Sequence, residues 1–312
     1  MKMTNCSQDV PAGVQIFYIA VGVPTFIFGL LVNVAFLVAL CYSQRNTWTY
    51  MMVYIVNMAF SDTIVLIFLP VKMYSFYNQW NFVQLCLFFV SSYFVNMYVS
   101  IFTVTAISVV RYVAIKYPFR ALEIMSPRKA VIVCVLIWLT ICSLSYIFHF
   151  VDSPGDNATN ITCFQKIKND AFPLEFILVL EIVGFLLPLI IMSFCSIKIV
   201  MYLYKKTDIS SASEKTQCIG IIITNLIVFI LCFTPLHLSF LFKFLVQTYY
   251  PGSCQLYKLA HSFVHIATCI SHTNCCFDVF SYYFLTSSFW KRLSASFQLN
   301  RNTCCFTKNS VL

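Results

Sequence analysis

Asp62, Lys72, Arg111 and Asp278 each stand inside a long apolar stretch, where a charged side chain has few uses. Arg111 follows Val110 and leads into Tyr112-Val113-Ala114-Ile115-Lys116-Tyr117-Pro118, so a fixed charge, an aromatic and a proline close a run that begins near residue 85. An arginine at bilayer depth is costly unless it is paired or faces water, which makes it a switch position rather than a packing position. Lys72, just past Pro70, is a cation in a nearly charge-free stretch and calls for an anionic partner; a phosphate or carboxylate ligand supplies one. Two buried carboxylates such as Asp62 and Asp278 cannot both stay charged cheaply, so they share a proton or hold a cation. The chemistry is therefore ion pairing, proton sharing and anion capture. An enzyme is not expected. The chain has no metal-ligand cluster, no Ser/His/Asp set with a supporting context and, with 7 Gly, no phosphate-cradling loop.

The elements that must position these groups are membrane helices. The 312 residues are 60% hydrophobic and 10% charged, with a mean hydropathy of +0.82, far from the roughly 25% charged of soluble domains. Apolar runs of the length needed to cross a bilayer, about 20 residues, occur at 16–42, 50–75, 85–109, 130–151, 174–202, 219–246 and 259–285. The expected fold is all-α, a seven-transmembrane helix bundle. Residues 1–15 form an extracellular tail, 16–285 the membrane domain, and 286–312 a short amphipathic eighth helix, Phe289 to Phe297, with a cytoplasmic tail. No repeat or interrupted helix suggests a transporter or channel.

Orientation follows from the basic residues. Arg45, Arg111, Lys116, Arg120, Arg128, Lys129, Lys198, Lys205, Lys206, Lys215, Lys291, Arg292, Arg301 and Lys308 share alternate loops and ends, which places that side in the cytoplasm. The N-terminus is then outside and the first span serves as an uncleaved signal anchor. The net charge of +9 reflects this bias and gives no reason to expect nucleic acid. Glycosylation sequons at Asn5, Asn157 and Asn160 fall on the outer face. Of the 15 cysteines, Cys86 and Cys163 lie in the oxidising compartment and are expected to pair, with Cys6 and Cys254 as a second bridge. Cys304 and Cys305 follow the amphipathic stretch and suit palmitoylation.

Further ligand candidates are polar side chains in the outer halves of the spans or at pocket depth: Tyr74, Tyr93, His149, Glu181, His237, Lys243, Lys258, His261, His265 and His272. Among them His149 and His265 also suit helix-to-helix contacts, and Lys258 suits the outer headgroups. The ending Ser310-Val311-Leu312 fits the carboxylate tails that PDZ domains read as an added strand.

Gly29 and Asn33, then Asn57-Met58-Ala59-Phe60-Ser61-Asp62, Cys86, Arg111, Trp138, Pro188, Phe233-Thr234-Pro235 and the stretch from Asp278 to Tyr282 follow one another in order. This series resembles the rhodopsin-like G-protein-coupled receptors over nearly the whole chain. The strings VPTFIFGLLVN (23–33), LPVKMY (69–74), SPRK (126–129), EIVGFLLP (181–188), FTPLHLSFLFKFLV (233–246) and NCCFDVFSYYF (274–284) are similar to a subgroup. It comprises receptors for lysophosphatidylinositol and for kynurenate and lysophosphatidic acid and, more distantly, lysophosphatidic acid and nucleotide receptors.

The resemblance implies a plasma-membrane receptor for a small anionic or lysophospholipid-like ligand. Outward movement of span six would pass binding to a heterotrimeric G protein, with Rho or calcium signalling downstream. Arg111, Tyr112 and Tyr282 are the coupling residues it implies. Asn96, Ser100 and Asn274 join Asp62 and Asp278 as an allosteric sodium or proton site, with no other cofactor. Arrestin joins the G protein, the ligand and membrane lipids as a partner. Phe233 stands where the family commonly has a tryptophan. Val110 replaces the acid that usually restrains the arginine, Val279 replaces the span-seven proline, Ser196 replaces a tyrosine, and Lys215 lies at the foot of span six. Alternatives are a nucleotide or peptide receptor of the same fold, or a weakly coupled decoy.

Overall fold

The computed structural model describes residues 10–43, 48–77, 83–151, 173–205 and 212–278. Within them the chain is helical from end to end. The helices are α1 (Ala12–Ser43), α2 (Tyr50–Tyr77), α3 (Val83–Lys116), the short α4 (Pro118–Ile124) and α5 (Pro127–Val151). They continue with α6 (Leu174–Glu181), α7 (Leu187–Lys205), α8 (Ala212–Tyr249) and α9 (Cys254–His272). A π turn, Ile182–Leu186, joins α6 to α7 as one rod, and helix resumes at 274–278 after a turn at Thr273. Helix is what these sequences must form, since in lipid each backbone N–H and C=O has to be satisfied within the segment. The starts are marked by polar caps. Thr49 Oγ1 takes the Met52 amide at 3.3 Å, Ser126 Oγ takes the Lys129 amide at 3.3 Å, and Ser253 Oγ takes the Leu256 amide at 3.4 Å.

Among the described residues, six helices are long and apolar enough to cross a membrane: Ala12–Val38, Tyr50–Tyr74, Ser91–Lys116, Pro127–Ile147, Leu174–Lys205 and Cys218–Tyr249. They match the first six expected spans. The seventh run, 259–285, starts within α9, which carries Lys258, His261, His265 and His272 and is therefore the most polar of the set. Its end lies outside the described residues. The third helix runs past residue 109 to Lys116, so Arg111 belongs to the helix body.

α3 is the central rod, packed against α2, α5 and α7, while α9 packs against α8 and α1. Ile55, Met58, Met97, Ile101, Ile107, Met192, Phe229, Phe233 and Leu236 fill the middle. Phe28, Leu31, Ile67, Leu139, Ile190 and Leu231 point outward, as lipid-facing residues should. Two glycines set close approaches. A Cβ on Gly29 would stand 2.9 Å from Leu66 Cδ1 of α2, and one on Gly184, in the π turn, 2.7 Å from Tyr98 Cε1 of α3.

Several expected features lie outside the described residues: Asn5, Cys6, Asn157, Asn160, Cys163, Tyr282, the 289–297 stretch, Cys304, Cys305 and the last three residues. The backbone of Cys86 and His149 is described, in α3 and α5, but not their side chains. Cys254 is disulfide-bonded.

Candidate functional site

The middle of the bundle holds a polar layer built on α2. Trp138 Nε1 of α5 donates to Asn57 Oδ1 at 2.8 Å, and Asn57 Nδ2 donates to Thr103 Oγ1 of α3 at 2.9 Å, tying three helices together. One turn further along α2, the Ser61 hydroxyl donates to Asn96 Oδ1 of α3. Asp62 is fully buried; its Oδ1 accepts from Ser100 Oγ at 3.3 Å, and the Cys275 thiol also hydrogen-bonds this carboxylate. Asn274 Nδ2 donates to Asp278 Oδ2 at 2.7 Å, and the charges of Asp62 and Asp278 act on each other. Asn33 of α1 closes the layer, donating to the carbonyls of Gly29 and Cys275 at 2.9 Å each. The structure thus brings together Asp62, Asn96, Ser100, Asn274 and Asp278. They form one buried polar layer that links α2, α3 and the stretch 274–278.

Directly above, Lys72 of α2 is only 5% exposed. Its Nζ lies 4.0 Å from the centroid of the Tyr93 ring and 5.2 Å from that of Tyr18, so its charge rests on two aromatic faces. Tyr93 meets His272 edge-on with centroids 4.0 Å apart, and the Tyr18 hydroxyl is 3.4 Å from His272 Nδ1. A column of imidazoles climbs α9 from there. His265 Nε2 and His261 Nε2 are 3.2 Å apart, and His261 stacks on Tyr257 at 6.0 Å. Lys243 of α8 sits 6.0 Å from the Tyr257 ring, and the charges of Lys72 and Lys243 both reach His265. This side of the interior is electropositive.

The opposite side is different. At the π turn, Glu181 Oε2 lies 3.2 Å from His237 Nδ1 of α8, two residues past Pro235. Phe185 stacks on the His237 ring with centroids 4.5 Å apart and planes 15° from parallel. Phe185 also lies parallel to Phe229, which contacts Phe233 at 5.1 Å. A ring stack therefore runs from the acid–imidazole pair to the proline-bearing stretch of α8. A π turn adds one residue to a helical turn, and here it lets Gly184 and Phe185 face α3 and α8.

Near the C-terminal end of α3 Arg111 is 3% exposed and close enough to Cys218 of α8 for its charge to act there. Beside it Ile199, Leu203, Cys218 and Ile222 pack with Tyr112 and Ile115. Lys116 Nζ donates to the Tyr112 hydroxyl at 2.8 Å, and Tyr112 packs edge-on against Phe194 of α7. Val110 is buried.

Of the expected ligand residues, Lys72 and Tyr93 join one cluster, Glu181 and His237 form a second, and Lys243 and His261 sit at the end of the first that lies away from the carboxylates. Tyr74 is 53% exposed and Lys258 is exposed, so neither joins these clusters. Sequence reasoning missed Tyr18, one half of the lysine cage, and Tyr98, which packs against Gly184. Tyr18 is an aromatic in an apolar helix with little hydrophobic asymmetry, so nothing in its own stretch marks it as inward-facing.

Residues 32–282 match the family model for the 7 transmembrane receptor (rhodopsin family). The chain is 33% identical over 283 residues to G-protein coupled receptor 55 of Homo sapiens, covering 88% of this chain and 87% of the relative. It is 31% identical over 294 residues to G-protein coupled receptor 35 of Mus musculus, covering 93% and 92%. Lysophosphatidic acid receptor 6 of Homo sapiens is 34% identical over 274 residues, covering 84% and 78%. The chain belongs to the rhodopsin family of seven-transmembrane receptors. Membership carries a multi-pass place in the membrane, a small-molecule ligand, a heterotrimeric G protein as partner and no catalytic activity.

Proposed function

We propose that this receptor answers a small anionic, lysophospholipid-like ligand whose charged head is held by Lys72. The observation that carries this reading is a lysine almost wholly buried between two aromatic rings, with Lys243 and three α9 histidines on the same side. A cation at that depth gains most from an anion, and its aliphatic stem and ring cage suit an acyl chain lying beside the head. Similarity to a relative named lysophosphatidic acid receptor 6 supports the same class of ligand.

The receptor faces the outside with its N-terminus. Asn5, Asn157 and Asn160 carry glycans, Cys86 pairs with Cys163, and Cys6 bridges to Cys254. Ligand capture frees α8 to swing at Pro235, which lacks the N–H of a regular turn, and the opened cleft presents Arg111, Tyr112 and Tyr282 to the G protein. Asp62 and Asp278, with Asn96, Ser100 and Asn274, would hold sodium in the resting state. Rho or calcium signals follow, with arrestin, and a PDZ protein at the C-terminus, as later partners; Cys304 and Cys305 are palmitoylated.

Ligand-dependent GTP loading of α subunits in purified membranes tests the reading. Lysophosphatidylinositol or lysophosphatidic acid with an oleoyl chain should stimulate loading, whereas the neutral monoacylglycerol with the same chain and a nucleoside diphosphate should not. Equal stimulation by the neutral lipid, or stimulation by the nucleotide alone, would overturn it.

A further inference from the structure

Between Lys72 and the carboxylates lies a small cavity with about 20 Å³ of space for the centre of a water-sized sphere, room for a single water. Its walls include Tyr93, Asn96, Ser100, Ser271, His272 and Asn274. Neither Asp62 nor Asp278 lines it, yet Ser100 and Asn274 donate directly to those two carboxylates. Among the described residues, His272 Nε2 and Tyr93 Oη are buried without a hydrogen-bond partner. His272 is 6% exposed, and its other nitrogen, Nδ1, faces the Tyr18 hydroxyl beside Lys72. A buried imidazole nitrogen left unsatisfied is destabilising, and one water in a polar cavity with several partners removes that cost.

We propose that His272 is the coupling residue of this receptor: Nδ1 senses the Tyr18–Lys72 anchor, and Nε2 holds one cavity water that joins it to the Asp62–Asp278 layer. The proposal rests on the anionic-ligand reading for its input and on the cavity alone for its water. An anion drawn to Lys72 pulls that ammonium off the Tyr93 and Tyr18 rings. The Tyr18 and Tyr93 contacts of His272 change with it, and so does the hydrogen bond from Nε2 to the water over Ser100 and Asn274. His272 is thus a positioning residue acting through solvent, and its loss should separate binding from response.

The test compares wild type, Lys72→Ala, His272→Phe and His272→Gln in nanodiscs, with oleoyl lysophosphatidylinositol and oleoyl lysophosphatidic acid as probes. His272→Phe keeps a ring against Tyr93 and removes both nitrogens. Lipid-stimulated GTP exchange at equal occupancy should fall at least tenfold more than binding does, with partial recovery in His272→Gln, whereas Lys72→Ala loses both together. A parallel fall of binding and exchange in His272→Phe overturns the proposal. Radiolytic hydroxyl labelling in ¹⁸O water, on ligand-free receptor, reads the water directly. Met97 and Phe233, on the cavity wall, should be labelled in wild type and protected in Ser271→Leu, and absence of label in wild type also overturns it. If neither lipid binds wild type, the anionic-ligand reading fails by itself. His272 is then judged by that label and by ligand-free exchange, which must change at least threefold in His272→Phe.

Discussion

The two sides of the bundle interior solve the burial of charge in opposite ways. On the α2 and α9 side, Lys72 rests on the faces of Tyr18 and Tyr93 and shares its surroundings with His265, His272 and Lys243. On the α6 and α8 side, Glu181 meets His237 at 3.2 Å and the pair is sealed by stacked Phe185. An aromatic face stabilises a desolvated cation by about 2 kcal/mol. The first side therefore buries a cation against aromatic rings, and the second joins an acid to an imidazole on the facing helix.

Substitutions on each side sharpen that contrast. Within the two charged sides the largest effect belongs to Lys72→Ala. A charge-assisted hydrogen bond contributes about 1.5 to 3 kcal/mol, so potency for an active anionic lipid should fall roughly tenfold to more than a hundredfold at matched surface expression. Unchanged potency in concentration–response curves would remove Lys72 as the anchor.

Next comes Gly184→Ala, which places a Cβ 2.7 Å from Tyr98 Cε1. Overpacking of that kind costs about 1–3 kcal/mol. The melting temperature in detergent should drop, and a second change, Tyr98→Ala, should make the penalty smaller. If the π turn is only a local irregularity, the two changes will add independently.

A smaller effect is expected from Trp138→Phe, which deletes the 2.8 Å bond to Asn57. The loss is about 0.5–1.5 kcal/mol in melting experiments, and it should vanish when Asn57 is already alanine, because the partner is gone. Ligand potency should move little, since this staple lies on neither charged side.

The smallest change concerns Val110, beside Arg111 on α3. Val110→Asp adds an acid next to Arg111; both positions are buried, so desolvation of the new carboxylate offsets most of its attraction to the guanidinium. Ligand-free GTP exchange should fall by no more than roughly fivefold, the equivalent of about 1 kcal/mol. Arg111→Ala should abolish stimulated exchange at equal expression. No decrease with Val110→Asp would mean that the resting state is restrained by other contacts.

Much of this arrangement was legible from residue type and order. Asp62, Lys72, Arg111 and Asp278 are visible because a charge in an apolar stretch is so expensive that it rarely occurs without a use. The polar layer of Asn96, Ser100 and Asn274 was reached through the family resemblance; in the structure Ser100 bonds Asp62 and Asn274 bonds Asp278. Tyr18, Tyr98 and the π turn were not legible. A tyrosine in an apolar helix reads the same whether it points at lipid or at a lysine, and an inserted residue leaves no compositional mark. Tyr74 shows the converse, since its type and depth suggested a pocket while its helix face turns it outward.

The sequence by itself determined the class of molecule and the number and order of apolar runs. These follow from transfer free energies that add along the chain and need no knowledge of neighbours. Only the tertiary structure decided which polar groups meet. It set Lys72 over Tyr93 rather than at the headgroups, paired Glu181 with His237 through a turn that is out of helical register, and left a water-sized cavity between the lysine and the carboxylates. Those outcomes depend on the rotation of each helix about its axis, which side-chain packing between helices fixes and composition does not.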